Sequence, residues 1–426
     1  EYIVQANDTL GQIARKYSVD LAALIEANHI DNPDRIEVGQ VLTIPAAEPG
    51  PPGPDFKVIP NSELVYGPAS AGFDLEKFVQ SQNGYLKTYR EELDGRTYTG
   101  AEITARVAME FSVNPRLLLA VLEYRSGWVT QAEPDEASRD YPMLYIDPNR
   151  KGLYRQLAWA ANNLNRGYYL WRAGGIPAWV LQDGSVIPIA NTLNAGTAGV
   201  QHFFSLLLGK DEWEQAVTEP GLFAVYNQLF GYPFDYAIEP LLPPGLKQPA
   251  LQLPFEPGDE WSFTGGPHGG WGDGSAWAAL DFAPPGPALG CVQKDEWVVA
   301  AADGLILRAD LGAVVQDLDG DGLEQTGWTL LYMHIESRDR VRPGTFLKAG
   351  ERIGHASCEG GVSTGTHLHL ARRYNGEWIP ADTSLPFNLD GWVSSGAGVE
   401  YNGFLSKDGV MIEAWAGRRD ENQISR

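Results

Sequence analysis

With 426 residues, 43% of them apolar, the chain is long enough for two to four domains with sizeable cores. Its 32 basic and 55 acidic residues give a formal net charge of −23, which argues against a nucleic-acid binder built on Lys and Arg and leaves no polybasic signal for anionic membranes. No apolar run reaches the roughly 18 residues that a membrane-spanning helix needs. The two cysteines, Cys291 and Cys358, fall in one late region and fit a disulfide of an exported protein. Glu1 opens the chain without a Met and without a visible leader, so a mature or trimmed chain is the expectation.

Residues 1–45 read as a compact βααβ unit. Tyr2-Ile3-Val4 is a short strand, and Asp8 is a natural N-cap for a helix through Leu10, Ile13, Ala14 and Tyr17. A second helix covers Leu21 to Asn28, and after a turn at Asn32-Pro33-Asp34-Arg35 the stretch Val41 to Pro45 returns as a strand. The words Tyr-x-Val-x-x-Asn-Asp-Thr-Leu, Ile-Ala-x-x-Tyr, Asn-x-x-x-Asn-Pro-Asp-x-Ile and Gly-Gln-x-Leu-x-Ile-Pro together resemble a lysin-motif module over the whole segment. Such modules bind N-acetylglucosamine polymers such as peptidoglycan and chitin. The resemblance implies a sugar groove between Asp8, Thr9 and Leu10 on one side and Asn28, Ile30, Pro33 and Ile36 on the other.

Residues 46–55 are a Pro/Gly linker. Residues 56–235 read as mainly helical, with apolar residues at helical spacing over Leu75–Val79, Gly100–Phe111, Pro115–Tyr124, Leu153–Trp171 and Thr197–Leu208. The helix from Pro115, capped by Asn114 and stopped by Gly127, ends in an acid-Ser-Gly-aromatic sequence and resembles that of the lysozyme-like lytic transglycosylases. There a Glu directly precedes the Ser and is the general acid. Here Arg125 precedes Ser126 and Glu123 lies two residues early, about 200° round the helix, so the site reads as degenerate with Glu123 as a weak candidate for a glycosidic acid. Tyr168, Tyr169 and Trp171 could stack on sugars, but their spacing suits a core.

Residues 236–258 are Pro-rich and read as a second linker. From 259 to 426 short β-branched and aromatic runs broken by Gly and Pro predict an antiparallel β domain. The fold class is therefore multidomain α+β. In this last domain Thr264 to His268 is followed by Asp281 in an apolar run, Leu330 to Ile335 is a strand with His334 its most polar residue, and Ser363 to Leu370 ends in His367-Leu368-His369. On a strand His367 and His369 share a face while Leu368 and Leu370 pack behind. A hydrolytic zinc takes three ligands from His, Asp and Glu and keeps one position for a water. Several choices among these residues meet that count, and spacing alone does not select one.

These words together resemble the zinc endopeptidases of the lysostaphin and β-lytic group over about residues 261–385, the His-x12-Asp spacing being closer to the β-lytic branch. The resemblance implies one Zn²⁺ per chain on His268, Asp281 and His369. It places His334 and His367 beside the activated water, sharing the work of general base and oxyanion or leaving-amine partner. His355 matches no catalytic word and is expected at the surface or behind the site. Asp317, Asp319 and Asp321 resemble the start of a calcium loop, but Trp328 occupies the twelfth position, which argues against Ca²⁺. The expectation is a monomeric, secreted or periplasmic peptidoglycan hydrolase that holds glycan through residues 1–45 and cuts Gly/Ala-type wall peptide. The alternatives are a bifunctional enzyme that also cuts glycan, or a non-catalytic wall-binding activator.

Overall fold

The computed structural model describes residues 2–5, 8–17, 19–30, 32–33, 35–45, 51–287 and 289–426. Asn7, Asp34 and residues 46–50 of the first linker, all used above, lie outside them. The chain forms two compact units, one of residues 1–64 and 74–237, the other of residues 65–73 and 238–426. Among the described residues no helix is long and apolar enough to cross a membrane.

In the first unit, β1 (Tyr2–Ile3) pairs antiparallel with β2 (Val41–Leu42), and between them run α1 (Leu10–Tyr17) and α2 (Leu21–Ala27). Val4, Leu10, Ile13, Ala14, Val19, Leu24 and Leu42 form their shared core. The helix start differs from expectation by one residue. Thr9, not Asp8, caps α1: its hydroxyl takes the Gln12 amide at 3.2 Å, and the Gln12 side chain takes the Thr9 amide at 3.0 Å. Asp8 instead accepts both the Tyr2 hydroxyl and the Gln5 amide at 2.7 Å, which fixes the turn ahead of the helix.

The five expected helices of the middle region are all present as α3 (Leu75–Ser81), α4 (Gly100–Phe111), α5 (Pro115–Ser126), α7 (Leu153–Arg172) and α8 (Ala195–Ser205). The Asn114 side chain caps α5 and Gly127 ends it in a left-handed conformation. Sequence reading missed α6 (Glu136–Asp140), α9 (Lys210–Ala216) and α10 (Ala224–Phe230), each too short to show a periodicity. It also missed two hairpins, β3 (Arg90–Leu93) with β4 (Arg96–Thr99), and β5 (Ala178–Val180) with β6 (Val186–Pro188). The first turns at Asp94-Gly95, both with positive φ, as a two-residue hairpin turn requires.

The second unit is built on one antiparallel sheet. Its strands are β7 (Glu260–His268), β8 (Ala279–Ala283), β10 (Gly304–Asp310), β11 (Ala313–Asp317), β12 (Trp328–Met333), β13 (Phe346–Leu347), β15 (Leu368–Tyr374), β16 (Glu377–Trp378) and β21 (Gln423–Ser425). They lie in the order β13-β10-β11-β12-β15-β8-β7-β21, with β16 paired to β15. A small pair, β9 (Trp297–Val299) with β14 (Arg352–His355), and a four-stranded sheet, β17 (Asn388–Leu389), β18 (Trp392–Gly396), β19 (Gly403–Lys407) and β20 (Val410–Glu413), complete it.

Two stretches behave differently from the expected domain plan. Residues 238–258 have almost no regular structure, as a linker would, yet Leu251, Leu253 and Phe255 are buried in the core of this unit. Residues 65–73, expected within the helical domain, also pack here. The Tyr66 carbonyl lies where a Cβ on Gly376 would come within 2.1 Å, so only glycine fits that turn. Behind it Glu324, fully enclosed, accepts Arg308 through two 2.8 Å hydrogen bonds and is also paired with Arg373. Burial opposes the charge, but the two guanidinium groups hold the Glu324 carboxyl down at about 2.

His202 on α8 generates a prediction about acid stability. It is buried against Trp179, its Nε2 has no hydrogen-bond partner, and burial lowers its pKa to about 3, helped by the positive charges of Arg166 and Arg15. The unfolded chain takes up this proton near pH 6.5 and the folded chain does not until about pH 3. Stability is therefore complete above pH 6.5 and falls as pH drops toward 3. In urea titrations from pH 7 to 4, His202→Gln should flatten this loss by roughly 1–3 kcal/mol.

Candidate functional site

Sheet register builds the site. His369 on β15 stands opposite Asp281 on β8, and Met333 at the end of β12 stands opposite His369 from the other side. β7 delivers His268 through two irregularities in its pairing with β8, which are needed because Gly265 and His268 are both matched to the short run around Asp281. A Cβ on Gly265 would lie 2.6 Å from Asp281 Oδ2, so glycine is what allows β7 to pass this close. Leu368 and Leu370, between and beyond the histidines, are fully buried in the core, as alternation along a strand predicts.

His268 Nε2, His369 Nδ1 and Asp281 Oδ1 converge. The two nitrogens are 2.9 Å apart, and the oxygen lies 3.2 Å from His268 and 3.3 Å from His369. The outward nitrogens are committed: His268 Nδ1 to the Gly266 carbonyl at 2.8 Å and His369 Nε2 to the Gly270 carbonyl at 3.1 Å. With those protons pointing outward, the inward nitrogens present lone pairs, and Asp281 Oδ1 is buried without a hydrogen-bond donor. Three electron-pair donors facing one another at this spacing call for a cation. Tetrahedral zinc, with ligand bonds of about 2.0–2.2 Å, sets its ligand atoms roughly 3.4 Å apart, so these side chains can hold one.

Electrostatics follows the same geometry. Burial alone would raise the Asp281 carboxyl, but His268, His369 and His367 around it hold it well below the usual carboxylate range. Burial pushes His369 down, while His268 is raised because the adjacent carboxylate outweighs its burial.

His334 and His367 face each other beside this cluster, ring centres 4.4 Å apart, and His367 Nε2 is 3.8 Å from Asp281 Oδ1. Each has its Nδ1 occupied by a carbonyl, that of Glu359 at 3.0 Å for His334 and that of Gly365 at 2.7 Å for His367, so each turns Nε2 to the site. Burial, with His367 and His369 close by, lowers His334 to about 3 and keeps it neutral at ordinary pH. His334 has φ of 63°, a left-handed conformation that costs a non-glycine residue about 1–2 kcal/mol. A disulfide joins Cys291 to Cys358 and ties the two loops flanking these histidines.

One neighbour escaped the sequence reading. Tyr401, on the turn between β18 and β19, stacks on His268 at 4.3 Å with its ring inclined by only 21°, and its main chain bonds that of Gly266 and Pro267. Its only local signal is a positive φ, which a sequence does not display. His355, expected near the surface or behind the site, is buried on β14 against Trp297. Asp317, Asp319 and Asp321 do approach one another, and their carboxylates accept the amides of their own loop.

The expected glycan residues fare unevenly. Leu10 is enclosed in the core, and Asp8 holds its turn. Asn28 bonds the Leu24 carbonyl and both the amide and carbonyl of Thr43. Thr9, Ile30, Pro33 and Ile36 keep accessible surface.

Compared with known proteins, residues 2–45 match the LysM domain, residues 57–243 the LasA N-terminal domain, and residues 287–380 Peptidase family M23. The last match takes in His334, His367 and His369 and begins after Asp281. Protease LasA of Pseudomonas aeruginosa strain UCBPP-PA14 is 26% identical over 347 residues, 75% of this chain and 74% of that one. Beta-lytic metalloendopeptidase of Lysobacter enzymogenes is 28% identical over 166 residues, 37% of this chain and 89% of that one. A solved M23 metalloprotease, pseudoalterin from the deep sea, aligns over 42% of this chain and 99% of its own at 23% identity and a TM-score of 0.34.

The middle region is thus matched by the LasA N-terminal domain, and the lysozyme-like reading rests on Glu123 alone. Glu123 Oε2 accepts the Val129 and Thr130 amides at 2.9 and 3.1 Å, and Oε1 accepts the Thr130 hydroxyl at 2.5 Å. Three donors thus engage both carboxylate oxygens of Glu123. Its position closes the turn after α5. Glu123→Ala should therefore lower stability by about 1–3 kcal/mol in denaturant titrations and leave the products of wall digestion unchanged. Loss of glycan cleavage products in this variant would return Glu123 to a catalytic role.

Proposed function

We propose that this chain, which joins a LysM domain and a LasA N-terminal domain to an M23 metallopeptidase domain, is a zinc endopeptidase of bacterial wall peptide. The observation that carries this is the convergence of three proton-free donors, His268 Nε2, Asp281 Oδ1 and His369 Nδ1, with two further imidazoles aimed at the same point. When bound there, Zn²⁺ supplies Lewis acidity toward a peptide carbonyl and activates water.

The remaining work falls to this chain's own side chains. The Gly266 and Gly270 carbonyls fix the tautomers of His268 and His369. His334 and His367, each with a free Nε2, remove the proton from the attacking water and deliver one to the departing amine. Burial around the cluster keeps competing water away from these transfers.

The substrate assignment draws on the LysM domain and on the resemblance to enzymes that cut Gly- or Ala-containing wall bridges. LysM binding to N-acetylglucosamine polymers, through Thr9, Ile30, Pro33 and Ile36, raises the local concentration of wall peptide at the site. On this reading the protein works where the wall is, secreted or in the periplasm. A non-catalytic activator would have no use for a complete donor set.

Zinc content and release of new amino termini from purified walls test the reading. His369→Ala should lose both. His334→Ala and His367→Ala should keep one zinc per chain and lose at least about 100-fold in kcat. Wild-type protein without zinc, or undiminished lysis by His369→Ala, would sink the proposal. Removal of residues 1–45 should weaken sedimentation with walls by tenfold or more while leaving hydrolysis of a short soluble glycine-rich peptide unchanged.

A further inference from the structure

Ser357 lies between β14 and the loop that carries Cys358, and contacts none of the three converging donors. Its hydrogen bonds nevertheless reach both non-ligand histidines. The Ser357 amide donates to the His334 carbonyl at 2.7 Å and its hydroxyl donates to the same oxygen at 2.9 Å. The hydroxyl oxygen also accepts the Glu359 amide at 2.9 Å, and the Glu359 carbonyl in turn takes His334 Nδ1. On its other side the Ser357 carbonyl accepts the His367 amide at 3.3 Å.

We propose that Ser357 is the positioning residue for His334. Its single hydroxyl acts at two points of the same histidine. Through the carbonyl it holds the left-handed main chain that swings the ring toward His367. Through Glu359 it orients the acceptor that leaves Nε2 of His334 bare. The adjacent Cys358–Cys291 disulfide holds this loop in place from the outside. Ser363 stands in a similar relation to His367: its hydroxyl is 3.3 Å from His367 Nδ1 and donates at 2.7 Å to the Gly365 carbonyl that takes the same nitrogen, but nothing ties it to the main chain of His334. Loss of the Ser357 hydroxyl should therefore misplace one imidazole and leave the metal donors untouched. This inference rests on the peptidase reading above.

The test compares wild type, Ser357→Ala, Ser357→Thr and Ser357→Val as full-length chains on a short soluble glycine-rich peptide, with zinc content measured in parallel. Thr keeps the hydroxyl, and Val has the shape of Thr without it, so the pair remains informative even if Ala folds poorly. Expected are a 10- to 100-fold fall in kcat for Ala and Val, KM within about twofold, one zinc retained, and near-normal kcat for Thr. In a His334→Ala background, Ser357→Ala should cost nothing more; in a His367→Ala background it should still cost. Equal losses in Thr and Val, an unchanged kcat in Ala, or an additive loss on top of His334→Ala would overturn the proposal. Failure of the peptidase reading itself would show separately, as wild-type protein without zinc or without hydrolysis.

Discussion

The pairing of β15 with β8 is the constraint on which the site depends. His369 meets Asp281 in that register, and a slip of one residue would turn His369 into the core and bring a leucine to face Asp281 and His268. The slip is opposed by everything behind the sheet, since Leu368, Leu370, Leu280 and Phe282 would all have to leave a packed interior. The hydrophobic core thus fixes donor positions that the donors, mutually repulsive as lone pairs, could not hold by themselves.

The same logic extends outward in layers. Glycines at 265 and 266 allow β7 and the Tyr401 loop to close on Asp281 and His268, and main-chain carbonyls then set each ring. Main-chain acceptors suit this task because their positions are set by the fold and not by a second flexible side chain. All four site histidines are held this way, by Gly266, Gly270, Glu359 and Gly365. The disulfide adds covalent restraint where the scaffold changes from strand to loop.

How much of this was legible depended on whether the signal was local. His367-Leu368-His369 and the Asp281 run stand out because alternation forces polar groups into an otherwise apolar strand. The LysM words and the long helices of the middle region are equally local. Tyr401 and the ring-orienting carbonyls are products of long-range closure, and no residue pattern encodes them. Glu123 is an acidic residue in a suggestive phrase, and only the structure shows that its hydrogen bonds close its own turn. The 236–258 stretch misled in a third way, because proline richness indicates lack of ladder pairing and says nothing about burial of Leu251, Leu253 and Phe255. Residues 65–73 were assigned by sequence neighbourhood, yet they pack with a sheet that starts far downstream.

That displaced segment bears on the order of events during synthesis. Residues 65–73 leave the ribosome 164 residues before the chain that completes their unit resumes at 238 (74 to 237 inclusive). Until then the Tyr66 side chain lacks Glu324, Arg308 and Gln325, which lie beside it in the folded unit, while the helices between can already fold around local contacts. Closing so long a loop costs little more entropy than a short one, because the penalty grows only with the logarithm of length. The delay is therefore a matter of timing and not of final stability. The sheet that carries His268, Asp281 and His369 starts at β7 and so emerges wholly after the helical unit, with β21 pairing onto β7 from far downstream.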